Sequence, residues 1–246
     1  MDQIMRLQRE PRKGAADGPL RIAETFTSRQ GEGRLTGTPS FFIRTSGCNL
    51  RCWFCDTPYA SWRPEGDLVS LDWLLVAARA SGTRHVVLTG GEPLLPAAVS
   101  ELVRRLRAAS LHVTIETAGT VFRPLQADLM SISPKLAGSG PAARSARWHD
   151  RHEAARWRPE VIHRLIQQAA EYQIKFVVDR SSDFDSAVAA VDLLGLPAEQ
   201  VWIMPQATSV AELERQHKWL QPRCAALGYR YCDRMQIRWY GNRRGT

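Results

Sequence analysis

The chain of 246 residues is 44% apolar and 24% charged, a globular composition that excludes a disordered, collagen-like or coiled-coil protein. Its 33 basic and 25 acidic residues leave a formal charge of +8; that suits a polyanion, a small anionic substrate or a merely basic surface, and no stripe of Lys and Arg interleaved with aromatics points to nucleic acid. The longest apolar stretch, Leu71 to Ala78, contains Asp72 and is too short for a bilayer, and residues 1–18 lack a signal-peptide core, so a cytoplasmic protein without membrane contact is expected.

In chain order, residues 1–22 read as a polar leader and residues 23–246 as a single domain. Residues 40–45 read as a buried strand, and a cysteine-rich loop follows. Leu71 to Ser81 has helical spacing, with Ser70 as N-cap. His85 to Leu88 is a strand ended by Thr89-Gly90-Gly91-Glu92-Pro93. Ala97 to Ala109 is a helix with an Arg-rich outer face. His112 to Ile115 is a strand ended by Glu116-Thr117-Ala118-Gly119, and Asp128 to Ile132 a short strand ended by Ser133-Pro134-Lys135. Residues 137–159, with five arginines and two histidines, break the pattern and read as a surface insertion. Beyond them come a helix (Val161 to Ala170), a strand (Gln173 to Val178), a helix (Phe184 to Leu194), a strand (Val201 to Ile203), a helix (Val210 to Leu227) and a last strand over Met235 to Trp239.

Alternating strands and helices imply βα units around a parallel sheet. Six or seven strands are fewer than a closed barrel needs. An open partial (β/α) barrel is therefore the first expectation and a doubly wound sheet the second. The polar, glycine-containing clusters all follow strands, and in parallel α/β folds those carboxyl ends build the site.

Three of the five cysteines, Cys48, Cys52 and Cys55, fall in the loop Gly47-Cys-Asn-Leu-Arg-Cys-Trp-Phe-Cys-Asp-Thr57. Tight clustering without a signal peptide suggests metal rather than disulfides. Three thiolates suit a soft metal but fall one short of a closed zinc or ordinary iron–sulfur site. An open iron, a zinc knuckle completed from elsewhere and three unconnected thiols are the readings. Cys224 and Cys232 are either a fourth ligand or ordinary buried cysteines.

The C-x3-C-x2-C spacing, with Phe54 just before the last Cys and Gly90-Gly91-Glu92-Pro93 downstream, resembles the radical S-adenosylmethionine (SAM) enzymes. The resemblance implies an open partial barrel. It also implies a 4Fe–4S cluster on Cys48, Cys52 and Cys55, with SAM on the open iron as source of a 5′-deoxyadenosyl radical.

Further stretches are Ser28-Arg29-Gln30-Gly31-Glu32-Gly33, Gly37 to Arg44, Asp56-Thr57, Glu116 to Gly119, Ser133-Pro134-Lys135 and Gly241 to Gly245. With the cysteine loop, these resemble the 7-carboxy-7-deazaguanine synthases over residues 24–246. The implied reaction converts 6-carboxytetrahydropterin to 7-carboxy-7-deazaguanine. Hydrogen is abstracted from C6, the ring contracts and ammonia leaves, on the way to queuosine and related 7-deazapurines.

Arg29, Gln30, Gly31, Glu32, Arg44 and Thr89 would then meet the substrate. Gln30 can donate and accept, Glu32 can accept from ring N–H groups, Arg44 can fork onto the carboxylate, and Gly31 and Gly33 permit close approach. Thr57 would ligate Mg²⁺. Phe54, Cys55, Asp56, Gly91, Glu92, Ser133, Pro134, Lys135, Met204, Pro205 and Gln206 would meet SAM, and Glu116 would be either a ribose partner or a capping acid.

A homodimer and an external, flavodoxin-like one-electron reductant are further implications, with no direct nucleic-acid partner. Two departures stand out: some relatives end in a proline where this chain has Thr246, and the 137–159 insertion is absent from the shortest relatives. The alternatives from other classes are a glycyl-radical-enzyme activase and a zinc-stabilised nucleic-acid-binding module.

Overall fold

The computed structural model describes residues 17–141 and 145–246, so residues 1–16 of the expected leader and 142–144 of the insertion lie outside the described residues. The chain runs through β1 (Leu20–Arg29), β2 (Pro39–Thr45), β3 (Asp67–Val69), α1 (Leu71–Ala80), β4 (His85–Gly90), α2 (Val99–Ala108), β5 (His112–Thr117) and β6 (Leu129–Ile132). It continues through α3 (Ala146–Arg156), α4 (Pro159–Gln168), β7 (Glu171–Val178), α5 (Ser181–Leu194), β8 (Val201–Pro205), α6 (Val210–Ala226), β9 (Arg230–Tyr231) and α7 (Met235–Tyr240).

One nine-stranded sheet has the order β3-β1-β2-β4-β5-β6-β7-β8-β9. From β2 to β9 every pairing is parallel, while β1 and β3 extend the edge antiparallel. The ends of the sheet do not pair with each other. The fold is the open barrel expected rather than a doubly wound sheet.

Strand side chains alternate between two faces, and here the two faces have opposite tasks. Phe41 and Ile43 of β2, Val86 and Leu88 of β4, Val113 and Ile115 of β5, and Ile174, Phe176 and Val178 of β7 enter the core shared with the helices. Their neighbours Phe42, Arg44, Thr89, Glu116 and Lys175 face the barrel interior and line its cavity. A one-residue slip of any strand would exchange these sets.

Local signals hold where they were clear. The Ser70 side chain accepts the Trp73 N–H at 3.2 Å at the start of α1. Ser209 and Glu212 form a reciprocal capping box on α6, a device that satisfies two otherwise free amide donors.

Four expectations need correction. The leader is shorter than residues 1–22, because Leu20 and Ile22 open β1 and bury in the core. The last strand, Met235 to Trp239, is instead the helix α7, with Ile237 buried; a short alternating run fits either period. The insertion is not merely surface loop. It contains α3, whose His152 is fully buried. The short strands β3 and β9 were not expected at all. No helix among the described residues is long and apolar enough to cross a membrane.

Candidate active site

The cysteine loop follows β2, the Gly-Gly-Glu-Pro turn follows β4, Glu116 to Gly119 close β5 and Ser133-Pro134-Lys135 follow β6. These strands are adjacent and parallel, so their carboxyl ends share one rim. A cavity of about 530 Å³ opens there, a volume suited to small-molecule ligands.

Among the expected residues, Arg29, Gln30, Gly31, Glu32, Arg44, Cys48, Cys52, Phe54, Cys55, Asp56, Thr57, Thr89, Gly91, Glu116, Ser133, Lys135, Met204 and Gln206 line it. Glu92, Pro134 and Pro205 are not part of the lining. Pro134 lies with Trp53 and Leu136 in an adjoining depression.

Cys48, Cys52 and Cys55 all reach the cavity wall. Burial pushes the Cys48 thiol up to about 12, although its Sγ accepts the Leu50 N–H at 3.3 Å. Burial likewise raises Cys52 to about 11. Thiols held this far from ionisation bind as thiolates only to a metal strong enough to displace the proton. Among the described residues no three His, Cys, Asp or Glu side chains surround one ion position. Cys224 packs in the helix–sheet core. Cys232 is buried with its Sγ accepting the Gly33 N–H at 3.2 Å. Neither lines the cavity.

The Gly-Gly-Glu-Pro turn works by packing. A Cβ on Gly91 would collide with the carbonyl oxygens of Gly47 and Ala60. The Glu92 N–H also donates to Gly47 O at 2.8 Å, which ties the turn to the start of the cysteine loop. Glu92 itself is a correction. Fully buried, it accepts the amides of Leu94 (3.0 Å) and Ala118 (2.9 Å) and the Thr117 hydroxyl (2.8 Å). Its carboxylate therefore fastens the end of β4 to that of β5, and it does not line the cavity. Burial raises its pKa even though these donors pull it down.

Gly91→Ala is expected to destabilise the fold by about 1–3 kcal/mol, because the clashing atoms are backbone and cannot turn away. Thermal unfolding of the purified variant checks this.

The glycines of Gln30-Gly31-Glu32-Gly33 leave room for the protein's own groups: the Gln236 side chain and backbone crowd Gly31, which also lines the cavity, and the Gln173 amide crowds Gly33, whose φ of 73° favours glycine. Gln30 is likewise committed. Its Nε2 donates to Glu116 at 3.0 Å and its Oε1 accepts the Glu32 N–H at 3.1 Å.

Glu32 sits between two buried cations, Lys175 and Arg234, and accepts from Gln236 Nε2 at 2.7 Å. Burial alone would raise its pKa, but the charges of Lys175 and Arg234 outweigh that and hold it at about 2. Arg234 continues to Asp56 and donates to Ala207 O at 2.6 Å. One ionic chain thus runs from β7 through Glu32 and Arg234 to the residue after Cys55.

Arg44 is held the same way. Its Nε donates to Glu24 at 2.7 Å, and Glu24 also accepts the Tyr59 hydroxyl at 2.8 Å. Arg44 lies 5.8 Å from the centroid of Phe26, which stacks on Phe42 at 4.8 Å. Lys135 Nζ donates to the carbonyl and hydroxyl of Ser133 at 2.7 and 2.8 Å, so Ser-Pro-Lys is a closed unit. Thr57 Oγ1 lies 3.8 Å from Cys55 Sγ.

Sequence reasoning missed Lys175, Arg234, Gln236 and Tyr59, all of which line the cavity. Lys175 carried a signal: a lysine between Ile174 and Phe176 on a core strand must face the other way. The tail 241–246 also lines the cavity. Arg244 stacks on Tyr59 at 3.9 Å and pairs with Glu24 and Glu65.

The family model for the radical SAM superfamily matches residues 42–181. The chain is 52% identical over 233 residues to a 7-carboxy-7-deazaguanine synthase of Rhodopirellula baltica, covering 94% of this chain and 91% of that one. It is 42% identical to another of that name from Halobacterium salinarum, over 90% of this chain and 91% of that one. Among solved structures, QueE from Escherichia coli shares the fold with a TM-score of 0.63, at 23% identity over 87% of this chain and 93% of that one.

Proposed function

The chain belongs to the radical SAM superfamily and, within it, to the 7-carboxy-7-deazaguanine synthases, and on that footing we propose that it makes 7-carboxy-7-deazaguanine from 6-carboxytetrahydropterin. The observation that carries this reading is a convergence: three cluster-spaced thiols, the ionised Glu32, Arg44 and Thr57 all line one cavity at the barrel rim.

Cys48, Cys52 and Cys55 would hold the 4Fe–4S cluster. With SAM bound, that cluster supplies a carbon radical able to abstract hydrogen. Phe54, Asp56, Gly91, Ser133, Lys135, Met204 and Gln206 form the wall on which SAM would be bound. Thr57 contributes a hard oxygen for Mg²⁺ beside a substrate carboxylate.

Glu32 acts as a fixed acceptor. Lys175, Arg234 and Gln236 occupy three of its roughly four lone-pair sites, and the remaining one can take a pterin N–H. Gln30 and Glu116 steer the same edge through their mutual bond. Arg44, pinned by Glu24 through Nε, would keep its outer nitrogens for a carboxylate. The protein's share of the rate is then orientation, because the reacting carbons must be held at about 3–3.5 Å.

An external one-electron carrier would reduce the cluster, and the family resemblance supports a cytoplasmic homodimer. The test is anaerobic reconstitution with iron and sulfide, followed by SAM, dithionite, Mg²⁺ and 6-carboxytetrahydropterin. Brown protein and the mass of the deazapurine are expected. Iron-loaded protein that cleaves SAM only with a protein partner would favour a glycyl-radical activase instead, and colourless, iron-free protein would favour the zinc-stabilised module.

A further inference from the structure

The insertion carries an oddity. Helix α3 buries one polar side chain completely: His152 has no exposed surface. Burying an imidazole is costly unless both nitrogens are satisfied, and both are. Nδ1 accepts the backbone N–H of Arg51 at 3.1 Å. That bond places the ring proton on Nε2, which faces Ser139 Oγ at 2.9 Å. The Ser139 hydroxyl in turn donates to Leu136 O at 2.6 Å.

Arg51 lies in the span between Cys48 and Cys52. The amide on the other side of Cys52 is tied to the same segment, since Trp53 N–H donates to Ser139 O at 3.1 Å and Trp53 Nε1 to Gly138 O at 3.1 Å. The Arg51 guanidinium bonds the carbonyls of Cys48 (2.8 Å) and Leu50 (2.7 Å) while lying 4.0 Å from the centroid of Trp148 on α3. Both backbone amides that flank Cys52 therefore end on the 138–152 segment. An apolar residue at this position would leave the buried Arg51 N–H without its acceptor.

We propose that His152 is a positioning residue for the metal cluster: by accepting the Arg51 amide it fixes the backbone turn that presents Cys48 and Cys52 to iron. Groups beyond the ligands commonly set the affinity and potential of a metal centre in this way. The inference rests on the cluster reading above and goes beyond it by giving the insertion a role.

Three variants test it. His152→Asn keeps an acceptor near the Nδ1 position, His152→Gln keeps a group near Nε2 but loses the Nδ1 acceptor, and His152→Leu keeps neither. After anaerobic reconstitution, iron loss to a chelator and the electron paramagnetic resonance spectrum of the reduced cluster are measured beside the thermal midpoint of the metal-free proteins. His152→Asn is expected to stay within about twofold of the parent in iron loss. His152→Gln and His152→Leu are expected to lose iron roughly 10- to 100-fold faster, with an altered spectrum.

A purely structural role would lower the metal-free midpoints and leave the spectrum and iron loss unchanged in the variants that load; that result overturns the proposal. If His152→Leu fails to fold, the comparison of Asn with Gln decides. A parent protein that takes up no iron would overturn the cluster reading itself, and the inference with it.

Discussion

Cys48→Ala, Cys52→Ala and Cys55→Ala are each expected to abolish turnover, whereas Cys224→Ala and Cys232→Ala keep it. Five free thiols are present, and their surroundings separate them. The first three reach the cavity wall on a loop held from both sides, by Gly91 and Glu92 on one flank and by Ser139 and His152 on the other. Cys224 lies in the helix–sheet core and Cys232 beneath Gly33, and neither faces the cavity. Loss of a group behind the ligands costs a metal site about 10- to 100-fold, so loss of a ligand should cost more and leave no detectable product. Iron per chain after reconstitution and product mass check the set. Equal loss of iron in Cys232→Ala would bring that thiol back as a ligand.

The contrast among the cysteines shows what a linear chain can disclose. The cluster loop, the Gly-Gly-Glu-Pro turn and Ser-Pro-Lys are local, so spacing alone places them after strands, and the parallel sheet then gathers them. The inner face of β7 follows from alternation, yet Lys175 acquires meaning only against Glu32, 143 residues away. Arg234 has no local signature; its partners are Glu32 and Asp56. Helix α3 has no apolar stripe to read, and the residue it buries completely among those described is a histidine. Helix α7 is too short for its period to be read: Gln236 and Ile237 point to separate tasks, one bonding Glu32 and the other burying. The family pattern places Glu92 at the ligand, whereas its hydrogen bonds to donors after β4 and β5 are visible only in three dimensions.

Glu32→Gln should produce the largest change in stability, and one that depends on pH. The carboxylate stands between Lys175 and Arg234, both nearly inaccessible to solvent at 5% and 7% exposed. Removing its charge strands Lys175, which has no other ion-pair partner among the described residues, while Arg234 retains Asp56. Breaking one side of a buried pair costs about 3–5 kcal/mol.

The lowered pKa reflects the same two cations and sets the pH range. Held at about 2 in the fold against about 4.3 in the unfolded chain, Glu32 contributes about 3 kcal/mol. That contribution is fully present above about pH 4.3 and is lost as pH falls towards about 2, where the folded carboxylate takes up its proton.

At neutral pH the variant should therefore melt roughly 6–20 °C below the parent. The difference between the two in urea unfolding should shrink as the buffer moves from about pH 5 to about pH 3. Other carboxylates titrate in that range, but they titrate in both proteins and cancel in the difference. Adding Lys175→Met to Glu32→Gln should recover part of the loss, because a buried pair replaced on both sides by groups needing no counter-charge is often close to neutral. If the single and double variants prove equally unstable, the stranded cation is not the cause. If the gap between parent and Glu32→Gln stays constant down to about pH 3, Glu32 is not the ionised hub of this site.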